Sequence, residues 1–127
     1  MEKTEICEYI SAEYAAKIDA PFKDDVVVFR REDNGKWFGI IMRVKNKSLG
    51  FTGEGFTSVM NVKSEPALIN TLITCEKGDF LPAYHMNKTH WISIVLDGKE
   101  FDDRVKMLID LSFTLTQNQS KYFEKNT

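Results

Sequence analysis

Val26-Val27-Val28-Phe29-Arg30-Arg31-Glu32-Asp33-Asn34-Gly35-Lys36-Trp37-Phe38-Gly39-Ile40-Ile41-Met42-Arg43-Val44-Lys45 reads as two β-strands joined by a tight turn. Val26 to Phe29 is β-branched and aromatic, the composition that fits a pleated surface. Trp37 to Lys45 alternates, with Phe38, Ile40, Met42 and Val44 on one face and Ile41, Arg43 and Lys45 on the other. Between them Asn34-Gly35 is the dipeptide that tolerates the positive φ angles of a hairpin. Everything else in the chain has to pack against this ribbon.

On the N-terminal side, Ile6, Tyr9, Ile10, Tyr14 and Ile18 recur at helical spacing, which predicts an amphipathic helix from Lys3 to Ile18. Asp19-Ala20-Pro21 stops it, because the residue before proline is pushed out of the α region. On the C-terminal side, Ser48 to Phe56 holds Gly50, Gly53 and Gly55 with little periodicity and predicts a flexible loop. A third strand follows at about Ser58 to Val62. Ser64 is placed as an N-cap, with Glu65 and Pro66 in the first turn of a helix whose apolar face is Leu68, Ile69, Leu72 and Ile73. Asp79 to His85 then reads as a strand. Trp91 to Leu96 is another, with Ile92, Ile94 and Leu96 inward against Trp91, Ser93 and Val95. Asp97-Gly98 turns the chain into a last helix that begins near Asp102 and buries Val105, Leu108, Ile109, Ser112 and Leu115. The residues from 121 to 127 are expected to fray. The order α-β-β-β-α-β-β-α predicts an α+β two-layer sandwich: a mainly antiparallel five-stranded sheet with its helices on one side.

The 127 residues suffice for one domain, and one domain, 1–127, is expected. At 43% hydrophobic and 28% charged, the chain has ordinary globular composition. Cys7 and Cys75 are too few and too separated to build a disulfide framework or a metal knuckle, which points to a reducing cytoplasm. Charges throughout the first twenty residues leave no room for a secretory h-region. The longest unbroken aliphatic and aromatic stretch, Val26 to Phe29, falls far short of the roughly 20 residues of a membrane span. No membrane partner is expected. Formal net charge is -2, which excludes coating of nucleic acid by bulk charge. Its distribution is uneven. Arg30, Arg31, Lys36, Arg43, Lys45 and Lys47 against Glu32 and Asp33 give a local excess of +4, and the rest of the chain carries -6.

Tyr84-His85-Met86-Asn87-Lys88-Thr89-His90-Trp91 packs two histidines, two aromatics, an amide and a lysine into eight residues. With this segment the chain resembles the MmcQ/YjbR family, whose most recognisable feature is Y-H-M-N-K-x-H-W. The likeness extends in order through Pro21-Phe22, Val28-Phe29, Gly35-Lys36-x-Phe38, Asn61-Val62-Lys63 with Pro66, Leu96-Asp97-Gly98, and Leu108-Ile109-Asp110-x-Ser112-Phe113. It departs at Ser64-Glu65, where Cys-Asp is frequent, and at Lys121 to Thr127, where a more basic tail is common. The resemblance implies a two-layer, CyaY-like fold related to secretion chaperones. It also implies DNA binding by a double-wing arrangement of hairpins.

A DNA-binding or regulatory accessory protein is therefore the leading expectation. Arg30, Arg31, Lys36, Arg43, Lys45 and Lys47 would contact phosphates, with Asn87 and Lys88 adding polar contacts. A two-stranded ribbon fits a major groove, and Trp37 and Trp91 would stack bases if exposed. Neutralising about four phosphates would give a salt slope near -3.6. Replacing Arg30, Arg31 and Arg43 by Ala is expected to abolish binding without harming the fold. The alternative is a protein-interaction module on the open sheet face, recognisable by a contiguous exposed patch of Trp37, Ile41 and Trp91. A third reading places a small anion or a catalytic step around His85 and His90, with Lys88 beside them. Their spacing matches no helical metal motif, and Cys75 or Asp97 is only the nearest third ligand by sequence. Neither metal nor cofactor is expected, and no catalytic residue is assigned.

Overall fold

The computed structural model of the chain describes residues 1–20, 26–96 and 102–118. Pro21-Phe22, the Asp97-Gly98 turn and the expected frayed end at 121–127 lie outside the described residues. The elements are α1 (Lys3–Glu13), β1 (Ala16–Asp19), β2 (Val26–Arg31), β3 (Trp37–Lys45), a 3-10 turn (Asn46–Leu49), β4 (Phe56–Lys63), α2 (Pro66–Cys75), β5 (Phe80–Pro82), β6 (Trp91–Leu96) and α3 (Asp102–Leu115). The strands form one sheet in the order β1-β2-β3-β4-β6-β5, and every pairing is antiparallel.

All three helices cover one face. Ile6 and Ile10 of α1, Ile69 and Leu72 of α2, and Val105, Leu108 and Ile109 of α3 bury against Val27, Phe29, Ile41, Met60, Val62, Phe80, Ile92 and Ile94 of the sheet. Burial of these branched and aromatic side chains supplies the main driving force, about 1.5 to 3 kcal/mol for each one fully removed from water. The second face carries a smaller cluster, Val44, Val59 and Val95, covered by Leu49, Phe51 and Tyr84. The expected α+β two-layer sandwich with helices on one side is the observed fold.

The sheet has six strands rather than five, because the first helix is shorter than its periodicity implied. Helix α1 ends at Glu13; Tyr14 is already extended, with φ -130° and ψ 148°. Its ring lies 4.7 Å from that of Phe113, and its hydroxyl donates to Asp110 Oδ1 at 2.9 Å. Burial pushes the Tyr14 hydroxyl pKa up, with the Tyr9 and Asp110 hydrogen bonds adding to it. Ile18, which continued the three-and-four spacing, instead sits opposite Phe29 in the edge strand β1. The free hydrogen-bonding edge of β2 outweighs one more turn of helix.

Three further boundaries differ from expectation. The second strand of the hairpin contains a bulge: Phe29 pairs with Gly39 and Arg30 with Trp37, leaving Phe38 unpaired. Phe38 thereby turns to the helix-covered face, its ring 5.0 Å from Phe113, while Ile40, Met42 and Val44 keep the other face. Gly39 permits this crowding, since a Cβ there would meet Met60 Cε at 2.7 Å. Glu65 rather than Ser64 occupies the N-cap position of helix α2, without a side-chain capping bond, and Ser64 is buried with its hydroxyl unpartnered among the described residues. The strand expected from Asp79 to His85 is only Phe80–Pro82, because proline ends the ladder and side chains take over its bonding.

Ser48 to Phe56 is tied together at its base. Asn46 closes it, accepting from Phe51 N–H through its backbone carbonyl, from Thr57 Oγ1 through Oδ1, and donating Nδ2 to Glu54 O. Leu49 and Phe51 gain burial over the second face of the sheet.

Candidate functional site

The family segment begins where β5 ends. Asn61 and Ser93 lie opposite each other on the second face of β4 and β6 and are fully buried. Ser93 Oγ donates to Asn61 Oδ1, and Asn61 Nδ2 donates to the Tyr84 carbonyl at 2.9 Å. Ser93 Oγ also accepts from Tyr84 N–H at 2.9 Å. Both backbone groups of Tyr84 are thus held by side chains beneath them, where a strand neighbour would otherwise bond.

His85 follows in the left-handed region, φ 59°, the only non-glycine residue with positive φ among the described residues. Histidine enters this region more readily than most residues. Its imidazole packs against the Tyr84 ring at a tilt of 52°, with ring centroids 3.9 Å apart. Asn87 then closes a turn: Oδ1 accepts from the N–H groups of Thr89 and His90 at 2.8 and 3.1 Å, and its carbonyl accepts from Trp91 N–H. Asn87 is committed to the loop itself through its oxygens. His85, Asn87, Lys88 and His90 are exposed, and Met86 and Trp91 are half-buried.

His85 and Lys88 line one cavity of about 310 Å³ with Ser48, Leu49, Leu81, Pro82, Ala83 and Tyr84. His90 is not part of it; its carbonyl accepts from Ser64 N–H instead. No three of His, Cys, Asp and Glu converge among the described residues. Cys75 is exposed and Cys7 half-buried, both as free thiols, and burial raises the Cys7 pKa. Asp97 lies outside the described residues. No helix among the described residues is long and apolar enough to cross a membrane.

The basic hairpin does not form a single ribbon of charge. Arg31 is only 6% exposed and is a structural residue, contrary to the expected phosphate contact. Its Nε and Nη2 donate to the two Asp33 oxygens at 2.9 and 2.8 Å, Nη1 donates to the Phe113 carbonyl, and the guanidinium lies 3.8 Å from the centre of the Phe113 ring. This guanidinium holds the Asp33 carboxyl below its ordinary pKa. Arg30 is half-exposed and paired with Asp19 at 2.7 Å. Arg43 lies over the exposed Phe56 ring at 4.2 Å, and Lys45 and Lys47 are exposed nearby around Gly53 to Phe56. Arg43 and Lys45 share the face of Ile41, whereas Arg30 is on the opposite face. The two groups sit towards opposite ends of β3, Arg43 about 20 Å and Lys45 about 26 Å from the Arg30 end at roughly 3.3 Å per residue.

A different grouping, which the charge run did not reveal, appears across the strands. Lys17 pairs with Arg30 and Arg30 with Trp37, and Lys63 pairs with Trp91. Because Val62 and Ile92 point into the core, Lys63 and Trp91 point to the second face, at the same sheet end as Trp37. Trp37 is 46% exposed. Lys17 and Lys63 were missed as candidates because they are separated in sequence, and only register brings them together. The expected patch of Trp37, Ile41 and Trp91 does not form, since Ile41 is buried under the helices.

The YjbR family model matches residues 11–115, most of the chain. The chain belongs to the YjbR family. Among YjbR relatives, it is 34% identical over 119 residues to the uncharacterised protein YyaQ of Bacillus subtilis, covering 92% of this chain and 99% of YyaQ. It is 30% identical over 70 residues to the uncharacterised protein YjbR of Escherichia coli, covering 50% of this chain and 59% of that one. A crystal structure of a Pseudomonas syringae protein superposes with TM-score 0.84 at 34% identity, covering 92% of this chain and 100% of that one. The Deinococcus radiodurans protein DR2400 superposes with TM-score 0.72 at 19% identity, covering 94% and 82%, and shares the fold.

Proposed function

We propose that this YjbR family chain is a nucleic-acid-binding accessory protein that takes a single strand, or locally opened DNA, across one end of its second sheet face. The observation that carries this reading is the cross-strand row of Lys17, Arg30 and Trp37, continued by Lys63 and Trp91. Tryptophan on an exposed sheet surface, flanked by cations, offers a π-face for a base and charge for the adjoining phosphates. Base stacking of this kind is worth about 1 to 3 kcal/mol per base. Arg30 contributes less than a free cation because Asp19 neutralises part of its charge. Lys36, at the hairpin turn beside Trp37, extends the basic surface, whereas Lys88 lines a different cavity with Ser48 and Leu49. Arg43, Lys45 and Lys47 belong to the far end of the hairpin and are outside this surface.

The test is fluorescence anisotropy with a labelled single strand and a labelled duplex of the same sequence, at 50 and 200 mM salt. Three neutralised phosphates give an expected slope of about -2 for a single strand. The single strand is expected to bind more tightly, to quench tryptophan fluorescence, and to lose about tenfold in affinity with Trp37→Ala. Absence of binding to both probes at 50 mM salt overturns the proposal. A duplex preference unaffected by Trp37→Ala overturns the stacking surface and returns the reading to a groove-binding ribbon.

A further inference from the structure

The cavity between the 3-10 turn and the Tyr84 to Lys88 segment is separate from the Trp37 row and has a composition of its own. Its walls are apolar through Leu49, Leu81, Pro82, Ala83 and the ring of Tyr84, and its polar groups are Ser48, His85 and Lys88. No carboxylate lines it among the described residues. Neither His85 nor Lys88 makes a hydrogen bond or ion pair among the described residues, whereas the backbone of Tyr84 and the Oδ1 of Asn87 on either side are both bonded. We infer that this cavity binds a small organic anion, an oxyanion headgroup carried on an apolar body.

Three features converge on that class. At about 310 Å³ the space is at the lower end of small-molecule sites and too small for an oligonucleotide. The uncompensated ammonium of Lys88 and the ring N–H of His85 favour an oxyanion, to which charge-assisted hydrogen bonds are the strongest available here. The site is also prepared in advance. The buried Asn61 and Ser93 pin Tyr84 at both backbone groups, which holds His85 in its left-handed conformation, and Asn87 closes the turn that carries Lys88. A non-glycine residue at positive φ is strained, and such strain persists only where the surrounding bonds over-determine the backbone. On the opposite wall, Asn46 holds the loop that presents Ser48 and Leu49. Binding therefore requires little ordering of the protein, which limits its entropic cost.

The experiment is a titration of the full chain, labelled with 15N, by phenyl phosphate and by benzoate, with benzyl alcohol as the uncharged analogue and inorganic phosphate as the headgroup alone. Amide shifts are expected at Ser48, Leu49 and Tyr84 to Lys88 with at least one of the two aromatic anions. The uncharged analogue and inorganic phosphate are each expected to bind about tenfold more weakly, since each lacks one half of the recognition. His85→Asn, which retains a residue suited to positive φ, and Lys88→Met are each expected to weaken binding about tenfold, with the rest of the amide spectrum unchanged. The two aromatic probes separate a phosphate-selective from a carboxylate-selective headgroup site. No shift at these amides up to about 10 mM of either anion overturns the inference. So do shifts confined to the Trp37 and Lys63 end of the sheet, or equal binding of benzyl alcohol. The native-protein shifts stand as a test even where a variant is misfolded.

Discussion

Arg31 and Arg30 are adjacent in sequence and opposite in role. Arg31 satisfies all the criteria of a surface phosphate contact by residue type, yet β-strand alternation turns it towards α3, where Phe113 offers both a carbonyl and a ring face. Desolvating a guanidinium this far is tolerable only because the Asp33 carboxylate meets it bidentately. Arg31→Met is therefore expected to destabilise the protein by about 2 to 3 kcal/mol in urea unfolding, by stranding the Phe113 carbonyl and the Asp33 contact. It is expected to leave nucleic-acid affinity unchanged once the fold is intact, the reverse of the outcome read from charge alone. The same pair has an acid signature. Arg31 lowers the Asp33 pKa in the folded protein, so the stabilising contribution is complete above the unfolded carboxylate value and is lost as pH falls through the depressed folded value. Asp33→Asn should accordingly lower the melting temperature at pH 7, and the gap to the native chain should close below the ordinary carboxylate range. A gap that persists unchanged at low pH would show that the carboxylate charge is not what matters.

At the scale of elements, the bulge in β3 is the feature on which the hairpin and the third helix meet. Ser112 Oγ donates to the Phe38 carbonyl at 2.6 Å and accepts from Lys63 N–H at 2.8 Å, bridging the point where β3 and β4 would otherwise bond directly. One hydroxyl on α3 thus repairs the ladder that the bulge opens. Ser112→Ala should cost about 2 to 3 kcal/mol by leaving two buried backbone groups unpaired, and amide exchange at Lys63 should accelerate more than elsewhere in β4. Strand identity in this region was legible from alternation and from Asn34-Gly35, and the buried faces of β6 and α3 followed their periodicities. The bulge was not, because inserting one unpaired residue leaves the sequence pattern of the strand intact. The short α1 was likewise hidden: Tyr14 and Ile18 keep helical spacing while one packs on Phe113 and the other pairs across β2. Local pattern records which residues want burial, and it does not record which neighbour will offer the better partner.

Over the whole molecule, the basic run from Arg30 to Lys47 is divided by the length and pleat of β3, and the cations that share the Trp37 face come from β1, β2 and β4. Two triple variants separate these alternatives at equal net charge. Arg43, Lys45 and Lys47 to Gln, or Lys17, Lys36 and Lys63 to Gln, each take the formal charge from -2 to -5. The second set is expected to weaken single-strand binding by about tenfold or more and to flatten its salt slope, while the first set changes it little. Equal loss in both sets would mean that bulk charge, rather than the Trp37 end of the sheet, governs the interaction. The candidate site divides in the same way between what was legible and what was not. Tyr84 to Trp91 was visible as an unusual cluster, but its partner wall at Ser48 and Leu49 lies in a stretch whose glycines suggested slackness. The sequence by itself determined the fold class, the hairpin and the family, because these rest on periodicity and turn chemistry that act over a few residues. Tertiary structure alone decided that Arg31 is buried, that Ile41 and Trp37 face apart, that His85 rather than His90 enters a cavity, and that Lys17 and Lys63 lie on the tryptophan face. Those outcomes depend on strand register and on which distant surface completes a contact, and neither is a property of any local stretch.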